Sequence, residues 1–594
     1  MSDLAAVKTL LTKYEAAVSE ADMATFAELI SDEFRDGKGT TKAELIKHYQ
    51  GIEGLRVNFV GGELEFDGDS ATFSRVTVSS AKGSLTSLFT LRKEADGAWR
   101  LYRSEVVDWE SEPLDDDEKA RKLEIDKQAV AIREFRENLL RDPARPGYHF
   151  VMPEGIAAPF DPNGAIYWKG RYHLFYIFQD QRSGKKQDHW GHVSSTDLFH
   201  WRHHPTGLLN GMYSGNCFLN AVGVPTICYH QVGQGNAMAV ALDDDLNAWQ
   251  KLDSNPITPK TEEGDEFHDT YRSWDPFGWY DGENYYAIFG GKHPGVAKAP
   301  ELSGEWQYTG DLFAHGVDGV PLDEDVSCAD LFKLGDTDVL LCISHTLGCR
   351  YYLGEWKDEQ FYPESHAQMS WSDNLFFAPE SLVDDRGRRI MWAWLMDYRE
   401  FGVRFDQGWS GTMSLPRVLS LDENGEMLID LPEEIEALRY NGDQRGDIDV
   451  PADNDVVVDG IGGNSIELCI EMDSADASEF GVKVCVSPDG AEETVISYDA
   501  EKGELKIDTT RSGPEDKANS VEAGPLKLAD GERLNLRVFV DKSVVEVFAN
   551  RRQAVVRRIY PAQAESVGVS LFSRGASSRV HSLQFWQMSP SNPY

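Results

Sequence analysis

Cysteine is scarce in this chain. Seven residues in 594, an odd number lying mostly in apolar stretches, cannot form a disulfide scaffold and fit a reduced compartment. No run of about 18 apolar residues offers a membrane span. Basic residues are outnumbered, 58 Lys and Arg against 100 Asp and Glu, for a formal net charge of −42. Such a charge repels phosphate backbones and anionic lipid, so nucleic acid and membrane are not expected partners. No glycine-rich phosphate cradle or nucleotide fingerprint is present, and no cofactor is expected. The opening MSDLAAVKTLLTKYEAAV mixes lysine and acids into an amphipathic pattern. It lacks a basic stub ahead of an apolar run, so a helix is expected rather than a signal peptide, and a cytoplasmic location.

Apolar residues are plentiful, 41% of the chain, and they are organised in a repeat. Five times an apolar strand runs through a glycine turn into a second apolar strand: IYWKGRYHLFYIF, LNAVGVPTICYH, GWYDGENYYAIFG, LFKLGDTDVLLCIS and VDDRGRRIMWAWL. The turn glycines are Gly170, Gly223, Gly282, Gly335 and Gly387, spaced 53, 59, 53 and 52 residues apart. Polar loops ending on Trp201, Trp249, Trp306 and Trp356 keep step. Paired strands repeating about every 50 residues are the pattern of β-propeller blades, so five blades are expected over residues 146–435. The residues just before each hairpin then converge on a central funnel, and among them are Asp161, Asp275 and Asp325.

Three further segments flank the repeat. Residues 1–110 show two helical patterns, Leu4 to Val18 and Ala24 to Phe34, and then alternating strands, which predicts a small α+β unit. This order, with EADMATFAELISDEF as second helix, resembles the cone-shaped fold of nuclear transport factor 2 and polyketide-cyclase-like proteins. The resemblance implies support or dimerisation, and the sheet face with Leu85, Leu88 and Leu91 of SLTSLFTLRK is expected to pack either against a second copy, as a homo-oligomer, or against the propeller. Residues 111–145 are charged and helical, a linker ended by Pro143 and Pro146. Residues 440–594 alternate with period two between Gly, Asp and Asn turns, the pattern of a β-sandwich. The fold class expected is therefore multidomain and mainly β.

The repeat carries motifs in a fixed order: PFDPNGAIYWKGRYHLFYIFQ, WGHVSSTDLFHW, YSGN (213–216), WDPFGWYDG (274–282), SCADLF (327–332), RRIMWAWL (388–395) and GWSGTMSLPRVL (408–419). Together with LRVFVDKSVVEVFAN (536–550) they closely resemble glycoside hydrolase family 32, the invertases, inulinases, levanases and other β-fructosidases, over about 440 residues. DPNG alone would be no more than a turn. The resemblance implies retaining hydrolysis of a fructoside through a covalent intermediate, with Asp161 as nucleophile and Asp275 as transition-state stabiliser. Structurally, either residue could instead serve only its local turn. The implied binding residues are Asn163, Gln179, Trp190, Tyr213, Ser214, Arg272, Trp274 and Trp409.

The chain departs from that family at the acid/base, a glutamate directly before a cysteine. Here Ser327 precedes Cys328, and a serine hydroxyl is too weak an acid for the task. If 323–330 is extended, Asp325 shares a face with Ser327 while Glu324 and Asp330 point away. Asp325 also lies ten residues before its turn glycine, beside nine for Asp161 and seven for Asp275. Asp325 is the first candidate for the acid, Glu324 the second, and Glu364 or no acid at all remain alternatives. Trp274 and Ile177 stand where the family has arginine and glutamine. Arg272 is positioned to supply a guanidinium, and the pocket is biased toward stacking. The spacing of Cys342, His345 and Cys349 offers three metal-type side chains without a fourth, and no metal is expected. His203, His204 and His366 are read as structural or solvated residues, with a place on the funnel rim as the alternative. Two other functions stay open: fructosyl transfer through the same intermediate, and sugar binding without turnover.

Overall fold

The computed structural model describes residues 3–52, 54–59, 62–81, 83–108, 116–180, 186–399, 401–474, 476–514 and 519–592. The chain divides into two compact units, residues 1–133 and 134–594. No described helix is long and apolar enough to cross a membrane.

In the first unit a sheet of six strands curls over three helices, Asp3–Ser19, Met23–Glu28 and Lys42–Gln50. The second expected helix is cut short. Ile30–Asp36 is instead a strand, paired in parallel with Trp99–Asp108, because burying both Ile30 and Phe34 against the sheet outweighs the helical pattern. The third helix begins at a capping box between Thr41 and Glu44, a start signal legible in TKAE. Leu85, Leu88 and Leu91 do not form one contact strip. On a strand only alternate residues share a face, so Leu85, Phe89 and Leu91 join the unit's core while Leu88 points the other way. The expected linker is one helix, Asp116–Arg141, crossing the division between the units; residues 111–115 lie outside the described residues. Its end belongs to the second unit, where Leu139 packs against Val151 and Trp409.

The second unit opens with five antiparallel sheets whose four main strands follow one another outward in chain order. Their inner strands are Phe160–Trp168, Gly211–Leu219, Phe277–Tyr280, Ser327–Leu334 and Phe376–Val383. Neighbouring inner strands touch around a ring, and the fifth returns to the first. Glu380 of the fifth blade accepts the Ala165 N–H of the first at 3.0 Å, and Val151 bridges to Thr412. Trp201 and Trp249 open the outermost strands and Trp306 directly precedes one, whereas Trp356 sits on a third strand. Two six-stranded sheets then form the sandwich, with Val538, Val540, Val547 and Leu571 fully buried between them.

Every blade has a non-glycine residue in the left-handed backbone region near the start of its inner strand, among them Asp161 (φ 40°), Tyr213 (63°), Asp275 (36°), Cys328 (50°) and Ala378 (50°). At four of them the pairing register also slips, the mark of a bulge. A bulge inserts an extra residue and re-aims side chains, and here it does so at the same place in successive blades.

Candidate active site

Asp161 and Asp275 are the left-handed residues of blades one and three. Asp275 is buried and held across the ring: Oδ1 accepts the Ser214 N–H of blade two at 3.0 Å, and Oδ2 the Cys328 N–H of blade four at 3.2 Å. Burial pushes its carboxyl up to about 6, partly offset by these two donors. Asp161 is treated more harshly. Its Oδ1 has no hydrogen-bond partner among the described residues. Burial, and then the neighbouring charge of Asp275, raise its carboxyl to about 8. Asn163, two residues on, is also buried with both amide atoms unpartnered. Buried polar groups without partners are costly, and a hydroxyl-rich ligand could satisfy them.

The position of Asp325 differs in its cause from the sequence reading. Residues 323–326 are not strand; the inner strand starts at Ser327. The counterpart of Asp161 and Asp275 in this blade is Cys328, seven residues before its turn glycine as Asp275 is before Gly282. Asp325 nevertheless meets Ser327, whose hydroxyl donates to Oδ1 at 2.7 Å. Oδ2 accepts both the His345 N–H, at 2.9 Å, and His345 Nδ1, at 2.6 Å. Burial works upward on this carboxyl, but the hydrogen bonds from His345 and Ser327 win and hold it below the usual range. An acid kept ionised at neutral pH cannot donate a proton, which corrects the first choice of acid. Glu324 is turned to Ser344 Oγ (2.5 Å) and Thr346 Oγ1 (3.0 Å). Glu364 is exposed on the outermost strand of the blade.

Two cavities open here. One of about 420 Å³ is lined by Phe160, Asp161, Gln179, His345, Phe377 and Trp394. The other, about 470 Å³, is lined by Tyr213, His230, Thr261, Arg272 and Trp274 among others. In the second, Trp274 is 39% exposed and its ring lies 5.2 Å from that of Tyr213. Arg272 is next to it, its Nη1 held by His268 Nδ1 at 3.0 Å and the Thr261 carbonyl at 3.3 Å.

Trp190 and Trp409 require correction, because neither offers a face to a ligand. Trp190 is fully buried between blades one and two, near Phe175 and Tyr229, and Ile177 joins the same core. Trp409 is 2% exposed, its Nε1 donating to Asp142 at 2.5 Å with the Arg399 guanidinium 3.6 Å from its ring centre. The sequence reading missed His345, Phe377 and Trp394. RRIMWAWL contains Trp394, and His345 drew notice only beside Cys342 and Cys349, which are both buried in blade core. Among the described residues, His173, His192 and His204 lie close enough to hold a metal. Most of their nitrogens are engaged, His173 Nδ1 with His192 Nε2 at 2.9 Å and His204 with Ser194 and Asn247, while His192 Nδ1 has no partner among the described residues. Burial, helped by their mutual repulsion, holds His173 and His192 well below the ordinary histidine range.

Residues 149–432 match the N-terminal domain of glycosyl hydrolases family 32, and residues 434–587 match that family's C-terminal domain. The chain belongs to glycoside hydrolase family 32. It is 28% identical to a levanase of Bacillus subtilis, over 74% of this chain and 69% of the levanase. It is 26% identical to a sucrose-6-phosphate hydrolase of Zymomonas mobilis, over 78% of this chain and 96% of the relative. Fructan 1-exohydrolase IIa from Cichorium intybus has the same fold, with a TM-score of 0.66 at 20% identity, covering 76% of this chain and 98% of that one. This family 32 member is thus a glycosidase by descent, and it keeps the two axial aspartates of DPNG and WDP without a glutamate at Ser327.

Proposed function

We propose that this protein releases fructose from a β-fructoside or fructan with retention of configuration. Asp161 attacks the anomeric carbon, forming a fructosyl ester as the leaving oxygen departs. Water then attacks that carbon and returns the Asp161 carboxylate. Asp275 opposes the positive charge that develops on the sugar. One observation carries the reading: of two carboxylates on left-handed residues of blades one and three, Asp161 lines an open cavity and Asp275 is near enough for its charge to oppose that of Asp161. Asn163, Gln179, Tyr213, Ser214, Arg272 and Trp274 bind the sugar chain on this reading, and stacking on Trp274 gives the second cavity a role in holding a further sugar unit.

The test is a panel of sucrose, sucrose 6-phosphate, inulin and levan, with free fructose measured for wild type and Asp161→Asn. Oligosaccharides accumulating at high substrate concentration would mark transfer to sugar in place of water. Binding without any product would overturn the hydrolytic reading. The first unit contributes assembly rather than chemistry on this view, a homo-oligomer contact being its proposed task. Deleting residues 1–110 should then change the oligomeric mass while leaving fructose release per active site unaltered.

A further inference from the structure

We propose that His345, clamped by Asp325, is the general acid and base of this site, replacing the glutamate that family 32 members carry where Ser327 stands here. The proposal rests on the fructosidase reading above and adds a residue to it.

The clamp fixes the ring. Asp325 Oδ2 receives both the backbone N–H and Nδ1 of His345, so Nδ1 carries a hydrogen and Nε2 is the atom left for chemistry. No hydrogen bond reaches Nε2 among the described residues. The Phe377 ring stands edge-on to the imidazole at 5.4 Å, and both line the cavity that Asp161 lines. Ser327 takes part by donating to the other oxygen of Asp325. The family's acid/base position thereby becomes a support for the residue that takes over the task. Three acids flanking Ser327 are occupied elsewhere: Glu324 by Ser344 and Thr346, Asp330 by Ser381, and Asp325 by the clamp itself.

The charges facing His345 favour its protonated form. The hydrogen bond to Asp325 acts first and raises it; partial burial opposes, and Asp325, Asp275 and Asp161 add to the rise through their charges. Lys186 and Arg404 also line this cavity as cations, and Asp397 faces it already paired with Arg399. The side chain is 58% exposed, so it can exchange protons with solvent between turnovers.

The steps balance. As Asp161 forms its bond to the anomeric carbon and the glycosidic C–O bond breaks, the Nε2 proton passes to the leaving oxygen and the imidazole becomes neutral. In the second half, Nε2 takes a proton from the attacking water as the ester bond to Asp161 breaks, restoring the imidazolium. No oxidant, metal or further reactant is needed.

The experiment compares sucrose with β-fructosyl fluoride, whose leaving group departs without a proton, in wild type, His345→Gln, Asp325→Asn and Asp161→Asn. His345→Gln should lose about 10²–10⁴-fold in kcat/KM on sucrose and far less on the fluoride. Azide should accelerate it by taking the place of the activated water, yielding fructosyl azide. Asp325→Asn, which alters a positioning residue, should move the alkaline limb of the sucrose kcat/KM profile to lower pH, because losing the carboxylate lets the imidazole give up its proton more readily. Equal losses on both substrates in a folded His345→Gln, or an unchanged sucrose rate, would overturn the proposal while leaving Asp161 in its role. A wild type that releases fructose from neither compound, or an Asp161→Asn variant that keeps full activity, would remove the fructosidase reading and this proposal with it.

Discussion

Glu546 and Asp161 are carboxylates buried in the same unit, and their surroundings treat them in opposite ways. Glu546 lies where the sandwich meets the propeller. It accepts Arg417 Nε at 3.0 Å and Nη2 at 2.7 Å, the Leu415 N–H at 3.0 Å, and faces His149 Nε2 at 3.3 Å. Nearby Asp541 gathers the N–H groups of Gly147, Tyr148 and His149. Burial works upward on Glu546, but Arg417 and His149 win and hold it below its ordinary range. Asp161 has an unpartnered oxygen and a second acid close by, and His345 opposes the rise only weakly, so burial prevails. A buried charge with every lone pair satisfied fastens two domains together. One left wanting is a store of reactivity, kept by a scaffold stable enough to tolerate it.

That contrast can be broken most sharply at Asp161. Asp161→Asn should cut fructose release by several orders of magnitude, since the amide fits the same space but cannot attack, while circular dichroism stays native. At the joint the effect falls on stability instead. Glu546→Gln strands the Arg417 guanidinium and should cost about 3–5 kcal/mol in denaturant unfolding, with kcat per folded molecule little changed. If Glu546→Gln were neutral to stability, the joint would not be the ionic fastening described here.

A smaller effect separates the two acids by pH. In the substrate-free protein burial and the charge of Asp275 raise the Asp161 carboxyl to about 8, so the attacking carboxylate is the minor form at neutral pH and grows as pH rises toward that value, whereas in the unfolded chain the group ionises near 4. Between those values unfolding releases a proton, so this residue makes stability fall as pH rises. Asp161→Asn should therefore raise Tm, and the gain should widen from pH 5 to pH 8. Glu546 has the reverse sign: its contribution is present above the unfolded carboxyl pKa and is lost as pH falls through its depressed folded value. A constant Tm difference between wild type and Asp161→Asn across that range would contradict the raised pKa. Last in size, Trp274→Ala removes an aromatic contact worth about 0.5–1.5 kcal/mol. KM for a fructan should rise accordingly with kcat nearly unchanged.

Much of this molecule was legible in the chain because its blades repeat. Five glycine turns at near-constant spacing fixed the ring, and the same register pointed to Asp161 and Asp275. Legibility failed where an answer depended on contacts between distant segments. Trp190 and Trp409 sit in motifs that line the axis, yet which ring face is free is decided by Phe175, Tyr229, Arg399 and Asp142, all from other strands or loops. Counting back from Gly335 selected Asp325 because the count ignored the bulge at Cys328. Nothing in the spacing around His345 marks it as an acid, because its suitability comes from a partner 20 residues away. In the first unit, Leu85, Leu88 and Leu91 were chosen at a spacing of three, which a strand's alternation splits between two faces.

The five left-handed residues make the axis a set of equivalent mounting points. Each blade has already met the backbone cost of turning a non-glycine residue into that region, so what is mounted there can be exchanged without rebuilding the strand. Aspartate and asparagine tolerate the conformation well and β-branched residues poorly. Ala378 and Tyr213 are in this sense vacancies for a third or fourth polar group, open to a single codon change. The scaffold can therefore shift which blade carries which chemical task, and on the proposal above the serine at 327 beside the Cys328 bulge marks one such shift.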